Sequence, residues 1–211
     1  MGLLKQNNLE KYLNYFSEQM LLYGAAIKKV STTLEILDDE FHLRNDYNPI
    51  HHIETRLKTP QSIFNKLTKR GFPMTMESIH DNLTDIAGIR VICNYIDDAY
   101  RIADLLIAHN DIELLEKKDY IACPKPSGYR SLHLIVNVSV YRSEGSVQIP
   151  AEIQIRTIAM DYWATLEHRL KYKNEGSVPP DLHHKMKSCS EELADMEARM
   201  QEIQRETENY K

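Results

Sequence analysis

Between Leu9 and Phe41 the apolar side chains fall at Leu9, Leu13, Phe16, Met20, Tyr23, Ile27, Val30, Leu34, Leu37 and Phe41, in steps that alternate four and three. That spacing is a heptad seam, a continuous apolar stripe along one long helix. A second seam, Leu182, Met186, Cys189, Leu193, Met196, Met200 and Ile203, repeats the steps near the other end of the chain. Each stripe needs a partner, either the protein's own sheet or a second copy of the chain, and the two are compatible.

Between the seams the period changes. DYNPIHH breaks the first helix, because Pro49 disfavours helix at Asn48. A helix is expected over Thr59–Arg70, with Pro60 in its first turn and Gly71 just past its end. Short helices are expected over Met76–Leu83 and Asp97–His109, and a longer one from Ile158 to Lys171. DIAGIRVICNY, Ile112–Ile121, SLHLIVNVSVY and SVQIPAEIQIRT have the composition of strands, the last bent or at an edge around Pro150. About four strands with helices between them predict an α/β domain with helical arms. We expect one domain over 1–211, with an arm at 9–44, a core at 49–172 and a final helix at 179–210.

Lys and Arg number 26 against 31 Asp and Glu, a net charge of −5. The molecule as a whole does not advertise nucleic-acid binding, so RNA is not a favoured partner, and phosphate recognition must come from local cation clusters. Cys93, Cys123 and Cys189 are far apart, without metal-ligand spacing, as in a reducing compartment. No apolar run suits a signal peptide, and none approaches the roughly 18 residues that span a bilayer, so a cytoplasmic protein without membrane contact is expected.

Cations gather in three places. Arg56, Lys58 and Lys66 surround the start of the Thr59 helix, where Ser62 and Lys66 share a face one turn apart; a helix N-terminus beside cations is an anion site. KKDYIACPKPSGYRSLH brings Lys117, Lys118, Lys125, Arg130 and His133 close to Tyr120 and Tyr129, a composition suited to a stacked base with its phosphates nearby. Arg90 and Arg156 lie in two apolar strands. Against them stand two acids in apolar company, Asp85 and Glu152, the latter alternating with Gln154 and Arg156. Isolated carboxylates in such places are costly unless paired or bound to metal. Two readings follow. Asp85 and Glu152 could share a magnesium ion with a polyphosphate, or they could form salt bridges, Asp85 to Arg90 and Glu152 to Arg156. Strict alternation sets Asp85 and Arg90 on opposite faces, so either Asp85 precedes its strand or Gly88 marks a bulge. No P-loop, GxGxxG or nucleophile-elbow motif is present, and the His80-Asp81 pair is incidental.

The series TRLK, TDIAGIRVIC, KDYIACPKPSGYRSLH and AEIQIRTIAMDYWATLEH resembles the small alarmone synthetases, single-domain relatives of the RelA/SpoT enzymes, over about Pro49 to Tyr172. The KDYI…PKP and AMDYWA wording is nearer the RelP-type than the RelQ-type branch. The resemblance implies a mixed five-stranded sheet of nucleotidyltransferase type. It also implies transfer of pyrophosphate from ATP to the 3′-hydroxyl of GDP or GTP, giving AMP and ppGpp or pppGpp, with Mg2+ as cofactor and a homotetrameric assembly. Under it, Asp85 would hold magnesium, and Glu152 would hold magnesium or act as general base. Arg56 and Arg90 would sandwich adenine. Lys58, Ser62 and Lys66 would bind the ATP phosphates, with Lys118 assisting. Tyr129 would stack on guanine, Lys125 and His133 would contact acceptor phosphates, and Gln154 would support Glu152. Lys118 and Asp161 stand where the RelQ type has arginine and asparagine, and HHIET differs from the RelQ segment tied to allosteric alarmone binding, which argues against product activation. At this length no hydrolase domain is expected, so the chain is expected to make alarmone and not to degrade it. Two other classes remain open: a nucleotide- or RNA-binding module without chemistry, and a nucleotidyltransferase that releases pyrophosphate instead of AMP.

Overall fold

A computed structural model describes residues 2–44, 47–173, 179–208 and 210; Leu9 of the first seam and the linker residues 176–178 fall where side chains or backbone lie outside the described residues. The elements run α1 (Gly2–Arg44), β1 (Ile50–Leu57), α2 (Pro60–Arg70), α3 (Met76–Asn82), β2 (Ala87–Cys93), α4 (Ile96–Ile107), β3 (Ile112–Asp119), β4 (Leu132–Arg142), β5 (Gly145–Thr157), α5 (Ile158–Lys173) and α6 (Pro180–Glu208). The sheet order is β1-β2-β5-β4-β3, with β2 and β5 parallel and the other neighbours antiparallel.

The sheet has five strands, as the family resemblance implies; the strand absent from the residue-level reading is β1. Its sequence IHHIETRL buries only Ile50, so an edge strand solvated along most of its length shows no clean period of two. The expected strand over SVQIPAEIQIRT is the sheet's centre. β2 pairs with it only from Ala151 onward, so as far as Pro150 the strand has one neighbour, which is where proline is tolerated. Thr59 caps α2, its hydroxyl accepting from the Ser62 amide at 3.3 Å, and Gly71 ends that helix with φ of 71°, a left-handed geometry that glycine adopts without strain. Tyr95 precedes α4 as its N-cap, and its amide donates to Asp98 Oδ2 at 3.0 Å.

Ile89, Val91, Ile153, Ile155, Leu134 and Val136 form the buried face of the sheet. α1 lies across β1, β2, β4 and β5 on that face and buries Tyr23, Ile27, Val30, Leu34 and Phe41 of its seam, while Leu13 stays exposed. The first stripe therefore packs mainly on the chain's own sheet. The second does not: Leu182, Met196, Met200 and Ile203 on α6 are exposed. No described helix is long and apolar enough to cross a membrane.

Candidate active site

The opposite face of the sheet is polar, and the strand register sets out its side chains in rows. Glu54, Arg90, Gln154, His133 and Lys118 pair in turn from β1 through β2, β5 and β4 to β3. The adjacent row is Arg56, Gly88, Glu152, Ile135 and Glu116. Pairing runs through Gly88 without a shift, so there is no bulge; Asp85 simply precedes β2, which begins at Ala87. Lacking a side chain, Gly88 leaves open the space between Arg56 and Glu152. A cleft of about 460 Å³ occupies it, lined by Glu54, Thr55, Arg56, Lys58, Asp85, Gly88, Ile89, Arg90, Glu152 and Gln154.

Asp85 and Glu152 thus face one cleft, and neither forms the arginine salt bridge considered above. Asp85 Oδ2 accepts from Lys58 Nζ and from Lys66 Nζ, both at 2.5 Å. Its other oxygen, Oδ1, is buried without a hydrogen-bond partner. Burial would raise the Asp85 pKa, but the two lysines hold it below the usual carboxylate range. Burial pulls Lys58 down, opposed by Asp85.

Glu152 accepts from Gln154 Nε2 at 3.0 Å and sits 3.2 Å from His133 Nδ1. Burial would raise its pKa; the hydrogen bonds from His133 and Gln154 keep it low, and Asp85 opposes them. Behind this pair lies Arg156, almost fully buried. Its NH2 donates to Tyr129 OH at 2.8 Å and to Gln154 Oε1 at 3.0 Å, and NH1 donates to Asp161 at 2.8 Å. Tyr129 OH lies 2.8 Å from His133 Nε2. With the imidazole proton on Nδ1, two chains of donors run from Arg156 to Glu152, one through Tyr129 and His133 and one through Gln154. Asp161 also lies 3.6 Å from Arg90 NH1, which bonds Glu54 at 3.1 Å. Arg156 and Asp161 were not assigned roles from sequence. Their signal was present in part, because Arg156 continues the alternation of Glu152 and Gln154.

Of the remaining candidates, Lys125 Nζ sits 4.4 Å from the Tyr120 ring centre and 5.0 Å from that of Tyr129. Tyr129 precedes β4 and does not lie on it, yet its ring still meets His133. Lys118 shares the His133 row and pairs with Glu116 at 2.8 Å. Ser62 stands at the start of α2 with its hydroxyl 2.9 Å from Thr59 Oγ1. Two cations of the sequence cluster leave the site: Lys117 alternates to the other face, over Tyr100 at 5.8 Å, and Arg130 turns to Glu197 at 2.6 Å. Among the described residues, no group of three His, Cys, Asp or Glu side chains is placed to hold a metal ion unaided.

Two carboxylates, Asp85 and Glu152, thus line one cleft with Arg56, Lys58 and Arg90 on one face of a mixed sheet, a lining suited to an anionic ligand. The family described as "Region found in RelA / SpoT proteins" matches residues 55–177, and the chain belongs to that family. It is 36% identical over 208 residues to GTP pyrophosphokinase YwaC of Bacillus subtilis, covering 99% of both chains. It is 33% identical over 188 residues to GTP pyrophosphokinase YjbM of the same organism, covering 88% of this chain and 87% of that one. These identities are too close to assign the RelP-type or RelQ-type branch. The fold superposes on the B. subtilis small alarmone synthetase 1 bound to its product pppGpp with a TM-score of 0.85, at 32% identity over 92% of this chain and 98% of that one. For small alarmone synthetase 2 of that organism the TM-score is 0.82, at 38% identity over 90% and 98% of the two chains.

Proposed function

We propose that the chain is a (p)ppGpp synthetase that transfers the pyrophosphate of ATP to the 3′-hydroxyl of GDP or GTP, releasing AMP. The observation that carries this reading is the pair Asp85 and Glu152 on one cation-flanked cleft, with Asp85 Oδ1 left unpaired. A buried, charged oxygen without a donor fits a divalent cation, and magnesium takes only one or two carboxylates, its other positions being filled by phosphate and water. Asp85 and Glu152 would hold the ion. When bound, it would supply charge to offset the phosphate oxygens.

The protein's own groups do the rest. Arg56 and Arg90 lie on adjacent strands of the same face and would clasp the adenine. Lys58 and Lys66, with Ser62 at the α2 N-terminus, would bind the ATP phosphates, and Lys118 would assist from the sheet edge. Tyr129 would stack on guanine, with Lys125 and His133 at the acceptor phosphates. Glu152 is kept ionised by its partners, so it can take the 3′-hydroxyl proton as the oxygen attacks the β-phosphorus. Gln154 orients that carboxylate. Stacking at both ends aligns oxygen and phosphorus and removes much of the entropic barrier.

The test is incubation with magnesium, GDP and ATP labelled at the β-phosphorus. Label in a guanosine 3′-pyrophosphate together with equimolar AMP is expected, and Glu152→Gln should abolish turnover while nucleotide binding persists. Absence of AMP, or full turnover by the variant, overturns the assignment. The chain is further proposed to be a homotetramer in the cytoplasm. The exposed α6 stripe supports assembly, together with an apolar groove of about 590 Å³ beside it that includes Tyr162, Met196 and Met200. Three unpaired cysteines support a reducing compartment. Light scattering that returns the mass of one chain would exclude the tetramer.

A further inference from the structure

The turn that carries Tyr129 is gripped from outside the nucleotide cleft. Lys125 and Tyr129 are tied by the Lys125 amide to the Tyr129 carbonyl at 3.1 Å, and the Gly128 amide donates to the Lys125 carbonyl at 2.8 Å. The two residues flanking Tyr129 then reach α6. Ser190 Oγ donates to the Gly128 carbonyl at 2.5 Å. Gly128 has φ of 91°, and a Cβ added there would lie 2.8 Å from Ser190 Cβ, so the helix and the turn are in close contact. On the other side, Arg130 NH1 donates to Glu197 Oε2 at 2.6 Å, with 12% and 11% of the two side chains exposed. Thr157, where β5 passes into α5, donates its hydroxyl to the second Glu197 oxygen and accepts from the Met160 amide at 3.2 Å.

Ser190 and Glu197 are seven residues apart, two helical turns, and so present one face of α6 to the turn. That helix lies beyond residue 177, where the RelA/SpoT match ends. We propose that α6 is a positioning element for the acceptor nucleotide, with Ser190 and Glu197 as positioning residues that hold the 125–130 turn so that Tyr129 and Lys125 meet a guanosine 5′-di- or triphosphate. The proposal rests on the reading of Tyr129 and Lys125 as acceptor contacts. A nearly buried carboxylate paired to one arginine is sensitive to loss of its charge, because the arginine is then left uncompensated. In Glu197→Gln the amide can keep its oxygen on Arg130 and turn its NH2 to Thr157 Oγ1, which can accept, so what is lost is the carboxylate charge that offsets Arg130.

The test is binding and initial-rate measurement on the full chain and on Glu197→Gln and Ser190→Ala. The probes are unlabelled GDP and a non-hydrolysable ATP analogue, each titrated calorimetrically. In Glu197→Gln the GDP Kd and the acceptor KM should rise about tenfold, the scale of trading a charged hydrogen bond for a neutral one. Ser190→Ala should shift them in the same direction by less. The ATP-analogue Kd should stay within about twofold of wild type in both, and amide hydrogen exchange over 125–130 should accelerate. Unchanged GDP binding, or equal loss of GDP and ATP-analogue binding, overturns the proposal, the second result because it shows α6 merely supporting the fold. A wild-type chain that makes no alarmone would sink the proposed function separately, since the binding contrast is read without turnover.

Discussion

Replacing Arg156 by lysine tests whether the two donor chains behind Glu152 matter to the reaction. The guanidinium makes three bonds at once, to Tyr129 at 2.8 Å, Gln154 at 3.0 Å and Asp161 at 2.8 Å. It also lies over the Tyr129 ring, 5.3 Å from its centre. A lysine ammonium is a single point on a flexible stem and cannot reproduce that fork. Its strongest attraction is to the Asp161 carboxylate, so the bonds to Tyr129 and Gln154 are the ones lost. Each is worth about 1.5–3 kcal/mol when the donor is charged, so their sum bounds the damage at ~6 kcal/mol; water and local relaxation reduce the net loss of fold stability to about 2–3 kcal/mol. The kinetic effect follows from aim more than from binding. Tyr129 no longer anchors His133, Gln154 no longer has a fixed partner, and the Glu152 carboxylate loses both of its supported donors. Misplacement of a catalytic group by about 1 Å costs on the order of 100-fold, which is ~2.7 kcal/mol of barrier. Arg156→Lys should therefore lower kcat about 100-fold. The affinity for an ATP analogue should be unaltered, because Arg56, Lys58 and Lys66 are untouched. Initial rates of AMP release at saturating ATP and GDP measure the first quantity, and calorimetric titration with the analogue measures the second. A variant with kcat within threefold of wild type would show that Arg156 serves only the fold.

Tyr129→Phe keeps the stacking ring and removes the hydroxyl between Arg156 and His133. GDP affinity should hardly change while kcat falls about tenfold; a large loss of GDP affinity with kcat preserved would reverse the assignment of ring and hydroxyl. Asp85 and Glu152 both have folded pKa values below the ordinary carboxylate range. A depressed carboxylate contributes stability that is complete above its unfolded pKa, near 4, and is lost as pH falls through the lower folded value. Urea midpoints should therefore hold from neutrality down to about pH 5 and then fall, with Glu152→Gln losing less over the same descent; a midpoint that rises below about pH 4 contradicts the pairing.

What could be read from the sequence was whatever a single element carries. Glu152, Gln154 and Arg156 share one face of β5 because a strand alternates, and that holds before any neighbour is known. Thr59, Pro60 and Gly71 bound α2 through local backbone chemistry, and both seams were visible as helical stripes. What could not be read depends on which elements meet. β1 contributes Arg56 and Glu54 to the site, yet as an edge strand it buries too little to leave a pattern. Arg56 is plainly a cation in the sequence, but its place opposite Gly88 comes from register alone. The same limit explains Arg130. Adjacent in sequence to Tyr129, it was counted among the site's cations, whereas the close of the turn at Gly128 sends the two side chains apart, one to His133 and the other to Glu197 on α6. Clustering along the chain measures proximity of Cα atoms and not direction of side chains. Lys117 and Lys118 make the same point, since they are neighbours on β3 and face opposite sides of the sheet. Within a strand, alternation could have separated those two; across a glycine turn no period applies, and only the packing partner decides where each charge goes.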